Sequence, residues 1–221
     1  MAQAALRPTV RGPTFIRLLA RLAGVDVAAS GQSLPDRLGQ WLDWKHALSL
    51  AAALDTRPTA PETAVPPVPD DLHAECVRAR EVLATAIKDD PLLASTTAPA
   101  QAEPDYADFR QACLARQRAM QATVGRLRGT LRDALAQASP DMARLAEVDA
   151  AMEMALTPRE HALLARVPEL LGQRFERLRA AGPISSTWLD GFRRDMQSVL
   201  QAELDLRFQP VEALLAALRT P

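Results

Sequence analysis

The sequence predicts an all-α protein, and three observations support this fold class. First, the 221 residues include 42 Ala and 32 Leu but only 9 Gly and a single Tyr, so strong helix formers far outnumber strand formers. Second, apolar residues recur at spacings of three and four through most of the chain, as in amphipathic helices. Third, prolines are concentrated in short stretches that divide this pattern into separate helical segments.

The N-terminal segment, residues 1–55, is predicted to form a helical hairpin. Its first helix begins near Pro13 and ends at Gly24, because proline suits the first turn and glycine a helix end. Its apolar face consists of Phe15, Ile16, Leu18, Leu19 and Leu22. The second helix begins after the capping residue Ser33, runs to about Asp55, and carries Trp41 and Trp44 near its middle. We expect the first helix to dock on the second or on a protein partner.

A proline-rich linker is predicted at residues 56–69, because five prolines there remove backbone donors and prevent helix formation. The next helix begins at Asp70 or Asp71 and reaches Lys88. Residues 91–104, rich in Pro, Ala and Thr, are expected to form a mobile break inside the following region, 70–221.

The longest predicted helix spans residues 105–139, which contain no proline. Its apolar positions average close to 3.5 residues apart, the spacing of a coiled coil, and they are Tyr106, Phe109, Cys113, Met120, Val124, Leu127, Leu131 and Ala134. Pro140 ends this helix and Asp141 is expected to cap the next, which gives a long coiled-coil-like hairpin within a helical bundle.

Three more helices are predicted toward the C-terminus. A capping box, Thr157 to Glu160, starts one that continues to Gly182 and is kinked by Pro168. Another begins at residues 185–187 and includes Leu204. A final short helix is expected to open at Pro210.

The charge distribution argues against a dedicated nucleic-acid-binding protein, since the formal net charge is −1. By segment, the acidic residues 55–104 and the basic residues 105–138 are expected to pair with each other. The alternative is a nucleic-acid-binding regulator that uses the basic helix 105–138 to track phosphates. Its arginines are Arg110, Arg116, Arg118, Arg126, Arg128 and Arg132.

No sequence motif of the common enzyme classes is present: there is no phosphate-binding loop, dinucleotide fingerprint, zinc-protease motif or nucleophile elbow. We therefore expect a protein that is not an enzyme and has no cofactor, with Cys76 and Cys113 as reduced, buried thiols.

A metal-binding helical-bundle enzyme is the alternative, because Asp43 with His46 and Asp70 with His73 are acid-x-x-His pairs similar to those of di-iron bundles. Such bundles use Glu in these pairs and require further inward-facing carboxylates. The remaining candidates, Glu147, Glu153 and Glu203, are placed off the apolar stripes. Ordinary surface histidines are the favoured interpretation.

A cytoplasmic location is expected. The apolar run near the N-terminus is interrupted by Arg17 and Arg21, unlike a secretory signal, and no uninterrupted apolar run is long enough for a transmembrane helix. The basic, amphipathic first helix leaves open a peripheral contact with the inner face of a membrane.

These observations favour an adaptor or assembly protein that acts through its helix faces. The first candidate contact set joins the first helix to the two tryptophans and comprises Phe15, Ile16, Leu19, Leu22, Trp41 and Trp44. The second, which requires the long helix to protrude from its own bundle, comprises Met120, Val124, Leu127 and Leu131. Partners are another protein or a second copy, since an apolar seam on a long helix needs a partner.

Three stretches also resemble a proteobacterial family of functionally uncharacterised helical proteins. They are FIRLLARLAGVDV (Phe15–Val27), SLPDRLGQWLDWKHALSLAAAL (Ser33–Leu54) and LTPREHALLARVPELLGQRFERL (Leu156–Leu178). The resemblance covers most of the chain and supplies no catalytic residues. It implies a gene neighbourhood of proton-channel-type and OmpA-like envelope proteins, and hence a cytoplasmic accessory of an envelope complex.

Overall fold

Two 33-residue helices organise the fold. The structure, a computed structural model, describes residues 14–25, 33–55, 70–94, 105–181 and 187–219. Every regular element in these ranges is a helix, which confirms the predicted all-α class. The helices are α1 (Thr14–Ala23), α2 (Leu34–Trp41), α3 (Trp44–Asp55), α4 (Asp70–Lys88), α5 (Tyr106–Ala138), α6 (Pro140–Leu164), α7 (Val167–Ala181) and α8 (Thr187–Arg219).

The central pair, α5 and α8, is covered by four shorter helices. α6 folds back along α5, α4 packs on α5 and α8, α7 packs on the same two helices, and α1 lies against α7 and α8. α3 packs on α6. The turn between α5 and α6 is short because Ser139 caps α6: its Oγ accepts a hydrogen bond from the Met142 N–H at 3.2 Å. The cap predicted at Asp141 therefore lies two residues earlier, with Pro140 as the first helical residue.

The predicted N-terminal hairpin is corrected by these contacts, because α1 docks on the bundle instead of on the helices that carry the tryptophans. Phe15 and Leu22 are buried in the main core with residues of α7 and α8. Polar contacts fix the same position: Arg21 pairs with Asp195 at 3.2 Å, and Arg177 donates to the carbonyl of Leu22. α1 is thus packed against two helices, α7 and α8.

Several predicted helix boundaries also change. The single helix expected from Ser33 to Asp55 is two helices, because Asp43 starts α3 by accepting the His46 N–H at 2.9 Å. α6 continues through Pro158, where a new helix was predicted, and Pro168 lies at the start of α7 instead of kinking a helix. α8 likewise continues through Pro210. Buried residues on both sides, such as Phe208 and Val211, offset the backbone hydrogen bond that proline removes.

The two proline-rich stretches lie mostly outside the described residues: these are the linker 56–69 and, in the predicted break 91–104, residues 95–104. Residues 91–94, the beginning of the predicted break, form a turn that belongs to the core, since Leu93 is buried. The Asp90 side chain holds this turn by accepting the Leu92 N–H at 3.0 Å and pairing with Arg116 at 2.7 Å.

An aromatic cluster fills the core where α5, α7 and α8 meet. The rings of Phe109, Phe175 and Phe192 are buried, with centroids 5.0 to 5.9 Å apart. Tyr106 closes the cluster and donates its hydroxyl hydrogen to the Pro168 carbonyl. Aromatic pairs at these separations contribute beyond their buried area, so this cluster connects three helices that are distant in sequence.

Tyr106 makes Gly172 essential in α7, while Gly125 in α5 has no such constraint. A Cβ at Gly172 would lie 2.8 Å from Cε1 of Tyr106, whereas one at Gly125 would meet nothing within 4 Å. We expect Gly172→Ala to lower the free energy of unfolding by about 1–3 kcal/mol through overpacking. Gly125→Ala is expected to raise it by up to about 1 kcal/mol through helix propensity. Urea denaturation of both variants tests the pair, and equal stabilities would contradict this account of Tyr106.

Both thiols are as predicted, since Cys76 and Cys113 are buried and unpaired. Among the residues that the structure describes, no helix combines the length and the apolar character needed to cross a membrane.

Candidate functional site

The predicted contact residues of the first helix mostly face the protein's own core. Phe15 and Leu22 are buried, Leu19 is half-buried against the same core, and only Ile16 is exposed, at 40%. The apolar face that the sequence offered to a partner or to a membrane is therefore largely used for docking on α7 and α8.

The second predicted contact set is buried as well. Met120, Val124, Leu127 and Leu131 belong to the main core, where α6 and α8 cover α5. The long helix therefore does not protrude from its own bundle, and the condition on which this set depended is not met. Its apolar seam finds its partners within the chain.

The two tryptophans have different environments. Trp41, at the end of α2, is half-buried, and the guanidinium carbon of Arg159 lies 5.4 Å from its ring centroid, a cation–π contact with α6. Trp44, at the start of α3, is 79% exposed. Trp44 is thus the most exposed of the predicted contact residues, ahead of Ile16 at 40%.

Trp44 is part of an exposed stripe on α3, which we call the α3 outer face: Trp44, Leu48 and Ala51. The spacing of four and three residues places them on one side of the helix. Leu48 is 52% exposed and Ala51 is exposed too, whereas Ala53, on the other side, is buried. The opposite side of α3 packs on α6, where Arg144 donates to the carbonyl of Leu54. The stripe therefore points away from the bundle.

The basic helix is largely neutralised within the protein. The predicted pairing with the acidic segment is found at Arg126, 2.5 Å from Glu75, and at Arg116, which pairs with Asp90. Arg128 and Arg132 pair instead with α6, through Asp149 and Glu153. Four of the six arginines that could track phosphates are thus engaged by carboxylates.

A buried charge cluster, not anticipated from the sequence, joins α5, α6 and α8. Glu203 is fully buried and takes hydrogen bonds from Gln117 at 2.9 Å and from Arg207 at 2.8–2.9 Å. Arg207, whose side chain is 8% exposed, also pairs with Glu160 at 3.0 Å. The Gln117 amide donates further to the Leu164 carbonyl. Glu203 and its two partners, Gln117 and Arg207, thereby connect the three helices.

Placing Glu203 off the apolar stripe was wrong. It lies seven residues after Met196 and four after Val199, both buried, so the helical period itself puts it on the buried face. This spacing was the available signal, but a carboxylate is almost never fully buried without a partner. Arg207 follows Glu203 by four residues on the same helix and could be found from that spacing, whereas Gln117, 86 residues away, becomes visible only in the tertiary structure.

Burial changes the titration of the groups around Glu203. Desolvation raises the pKa of Glu203 above the ordinary value, although Arg207 and Gln117 act in the opposite direction. Burial, with a smaller contribution from Glu203, raises the pKa of the Cys113 thiol to about 12. Cys113 is therefore an unreactive thiol at neutral pH.

A groove of about 460 Å³ opens beside this cluster, between α5, α6 and Arg207 of α8. Its apolar part includes Val124, Met154 and Pro158, and Gly125 lies along one wall. Charged and polar side chains complete the lining, namely Gln121, Arg128, Glu153, Thr157, Glu160, His161 and Arg207. The volume lies within the range of small-ligand pockets. We call it the α5–α6 groove.

The histidines do not come together. His46 lies 2.8 Å from Asp43 through its Nδ1, while His73 and His161 are exposed on α4 and α6. Within the described ranges, no group of three or more His, Cys, Asp or Glu side chains is placed to hold a metal ion.

Comparison with known proteins identifies a family. The model of a family described as "Protein of unknown function (DUF3348)" matches residues 1–220. No curated protein and no solved structure matches the chain.

Proposed function

Since this chain belongs to the DUF3348 family, a family of unknown function, we propose from its geometry that it is a non-enzymatic helical adaptor. It binds a partner protein through the α3 outer face. The observation that carries the proposal is the exposure of Trp44, the largest apolar side chain that the described part of the chain leaves uncovered. Tryptophan is among the residues most enriched at the centres of protein interfaces.

The spacing of the α3 outer face favours a helix as the partner. Trp44, Leu48 and Ala51 form a narrow stripe, the kind of seam on which a second amphipathic helix packs. The small Ala51 lets a partner backbone approach closely, and the two larger side chains supply apolar area. A coiled-coil-like contact with an amphipathic helix of another protein is the association that this surface suits.

The remaining parts of the proposal rest on the sequence. The lack of enzyme motifs in the sequence supports a binding role without turnover. We propose a bacterial protein of the cytoplasm, acting as a scaffold for an envelope complex at the inner face of a membrane, as the resemblance described above implies. A second copy is the alternative partner.

The two other functions receive less support. A nucleic-acid-binding role would use the basic helix α5, four of whose arginines already pair with carboxylates. A metal-dependent enzyme would need carboxylates beside the acid-x-x-His pairs, and His46 has only Asp43 as an ion-pair partner in the described residues. No specific observation favours either function over the adaptor.

Replacing both Trp44 and Leu48 with alanine is expected to weaken partner binding at least about 30-fold, because interface anchors of this kind cost about 2 kcal/mol or more when truncated. The partner is first captured by crosslinking to the full-length chain in its own cells, then purified, and its affinity for both forms is measured by calorimetry. The melting temperature should stay unchanged, since both side chains project from the bundle.

Leu163→Ala is the matched control, because Leu163 is an equally exposed leucine, at 59%, on a different helix. This variant should bind like the wild type. If Trp44→Ala/Leu48→Ala binds as tightly as the control, the α3 outer face is not the contact surface. A dimer of the chain that this double substitution dissociates would identify the partner as a second copy.

A further inference from the structure

Two residues that disfavour helices line the α5–α6 groove from opposite walls. Gly125 lies in the middle of the 33-residue α5, and Pro158 lies inside α6. Glycine weakens a helix interior, and proline removes a backbone hydrogen bond. Close packing does not require a glycine at position 125, because an added Cβ there would meet nothing within 4 Å. Departures from local preference that converge on one cavity are typical of functional sites.

Each of these residues contributes something that a ligand can use. Gly125 keeps the groove open, because any larger side chain would occupy it. Pro158 has no N–H, so the carbonyl of Met154, one turn earlier, lacks the donor that α6 would otherwise provide. Met154 itself is mostly exposed at the groove and has a flexible side chain that adapts to apolar ligands.

The charges around the groove are not balanced on the α8 side. Arg128 and Arg132 face two carboxylates, Asp149 and Glu153, so that part of the network is neutral. Arg207 alone faces both Glu203 and Glu160, which leaves one carboxylate in excess.

Glu160 is the accessible member of this group. It is 44% exposed and lines the groove, whereas Glu203 is fully buried behind it. One Glu160 oxygen accepts from Arg207, and its other oxygen takes no hydrogen bond from the described residues. This spare oxygen, at the edge of a groove that also has apolar lining, can accept a charge-assisted hydrogen bond from a cation.

We propose that the α5–α6 groove binds a small organic cation, a primary ammonium compound with an apolar chain. Its ammonium group pairs with Glu160 and its chain lies on Val124, Met154 and Pro158. The ammonium restores the charge balance that Arg207 alone does not provide, and its hydrogens also suit the Met154 carbonyl. Trp44 does not line this groove, so the site is independent of the α3 outer face.

Titration with n-hexylammonium chloride tests the proposal, with sodium hexanoate as the probe of opposite charge. In protein labelled with ¹³C at the methionine methyl groups, the Met154 signal, assigned with Met154→Leu, should shift and saturate with hexylammonium. The other five methionines should change little. No saturable shift at Met154, or a shift with hexanoate that equals or exceeds the shift with hexylammonium, would overturn the proposal.

Two variants separate the cavity from the charge. Gly125→Leu should abolish the shift by filling the groove, while Gly39→Leu, an equally open glycine on α2, should leave it unchanged. Glu160→Gln keeps the size of the side chain and should weaken hexylammonium binding about tenfold or more, because a charge-assisted hydrogen bond is lost. Binding that survives Gly125→Leu, or that is equally tight in Glu160→Gln, would contradict this assignment of the site.

Discussion

Replacing Phe192 with alanine is expected to lower the free energy of unfolding by about 3–5 kcal/mol, the usual cost of emptying a buried aromatic site. Phe192 is fully buried, and its ring lies 5.1 Å from that of Phe109 and 5.0 Å from that of Phe175. Both pairs are nearly perpendicular, at 81° and 83°, the edge-to-face geometry that adds to area burial. Total stabilities of domains are about 5–15 kcal/mol, so this one substitution removes a large share.

The position of Phe192 between three helices makes the loss of stability larger than the size of its side chain alone would. The ring belongs to α8, and its neighbours belong to α5 and α7, so its loss leaves a cavity that no single helix can close by shifting. Guanidinium denaturation followed by circular dichroism measures the change. Phe192→Leu, which keeps most of the volume, should cost less, and the exposed Leu163→Ala should stay within about 0.5 kcal/mol of the wild type. A loss below about 1 kcal/mol for Phe192→Ala would contradict the central role of the cluster.

Replacing Arg207 with methionine is expected to cost about 3–5 kcal/mol, because it leaves a buried carboxylate without its cation. Glu203 is completely buried, and Arg207 is the only guanidinium that contacts it among the described residues. Gln117 still donates to Glu203 in the variant, but an amide does not neutralise the charge. The double variant Arg207→Met/Glu203→Gln should recover most of the loss, since replacing both members of a buried pair is often neutral.

The pH dependence of this effect follows from the titration of Glu203. Because burial raises its pKa in the folded state, the folded protein binds the proton more tightly than the unfolded chain does. Its contribution to stability is therefore fully present below the ordinary pKa of glutamate and is lost as the pH rises through the folded value. Arg207 lowers this pKa, so without it the loss of stability should extend to higher pH and become larger. Arg207→Met should therefore be least harmful in acid.

Unfolding free energies measured by urea denaturation between pH 4 and pH 8 give the test. Glu203→Gln should remove this part of the pH dependence, and Arg207→Met should enlarge it. A uniform loss of stability in Arg207→Met at every pH would indicate that the arginine acts through packing alone and not through its charge on Glu203.

The positions of the prolines and the spacing of the apolar residues predicted those helices whose ends are set by the local sequence. The bounds of α4 and α5 agree with the sequence, because proline-free segments with a regular apolar stripe lie between proline-rich stretches. Predictions that depended on a single proline were less successful. Pro158 and Pro210 were expected to begin helices and instead lie inside them, since the burial of neighbouring residues outweighs one missing hydrogen bond and cannot be read from the local sequence.

The candidate site was predicted only in part. Trp44 was identified as a contact residue, and the structure leaves it exposed, but Met120 and Leu127, chosen for their regular spacing, are core residues. An apolar stripe has the same pattern whether it faces a partner or the rest of its own chain. Leu48 was not among the predicted contact residues, and Glu160 was interpreted as part of a capping box. The exposure of Leu48 depends on how α3 packs on α6, and the environment of Glu160 depends on Arg207 of α8.

By itself the sequence determined the all-α class, the bounds of α4 and α5 and the burial of the two thiols, because helix propensity and apolar period act over a few residues. Only the tertiary structure decided that α1 docks on α7 and α8, that Arg207 covers a buried Glu203, and that Gly125 and Pro158 face one groove. The contacts behind these features join residues far apart in the sequence: 33 residues for Gly125 and Pro158, 86 for Gln117 and Glu203, and 174 for Arg21 and Asp195. Which partner such a segment meets is set by the total apolar area and charge that the whole chain buries, a quantity that no local pattern contains.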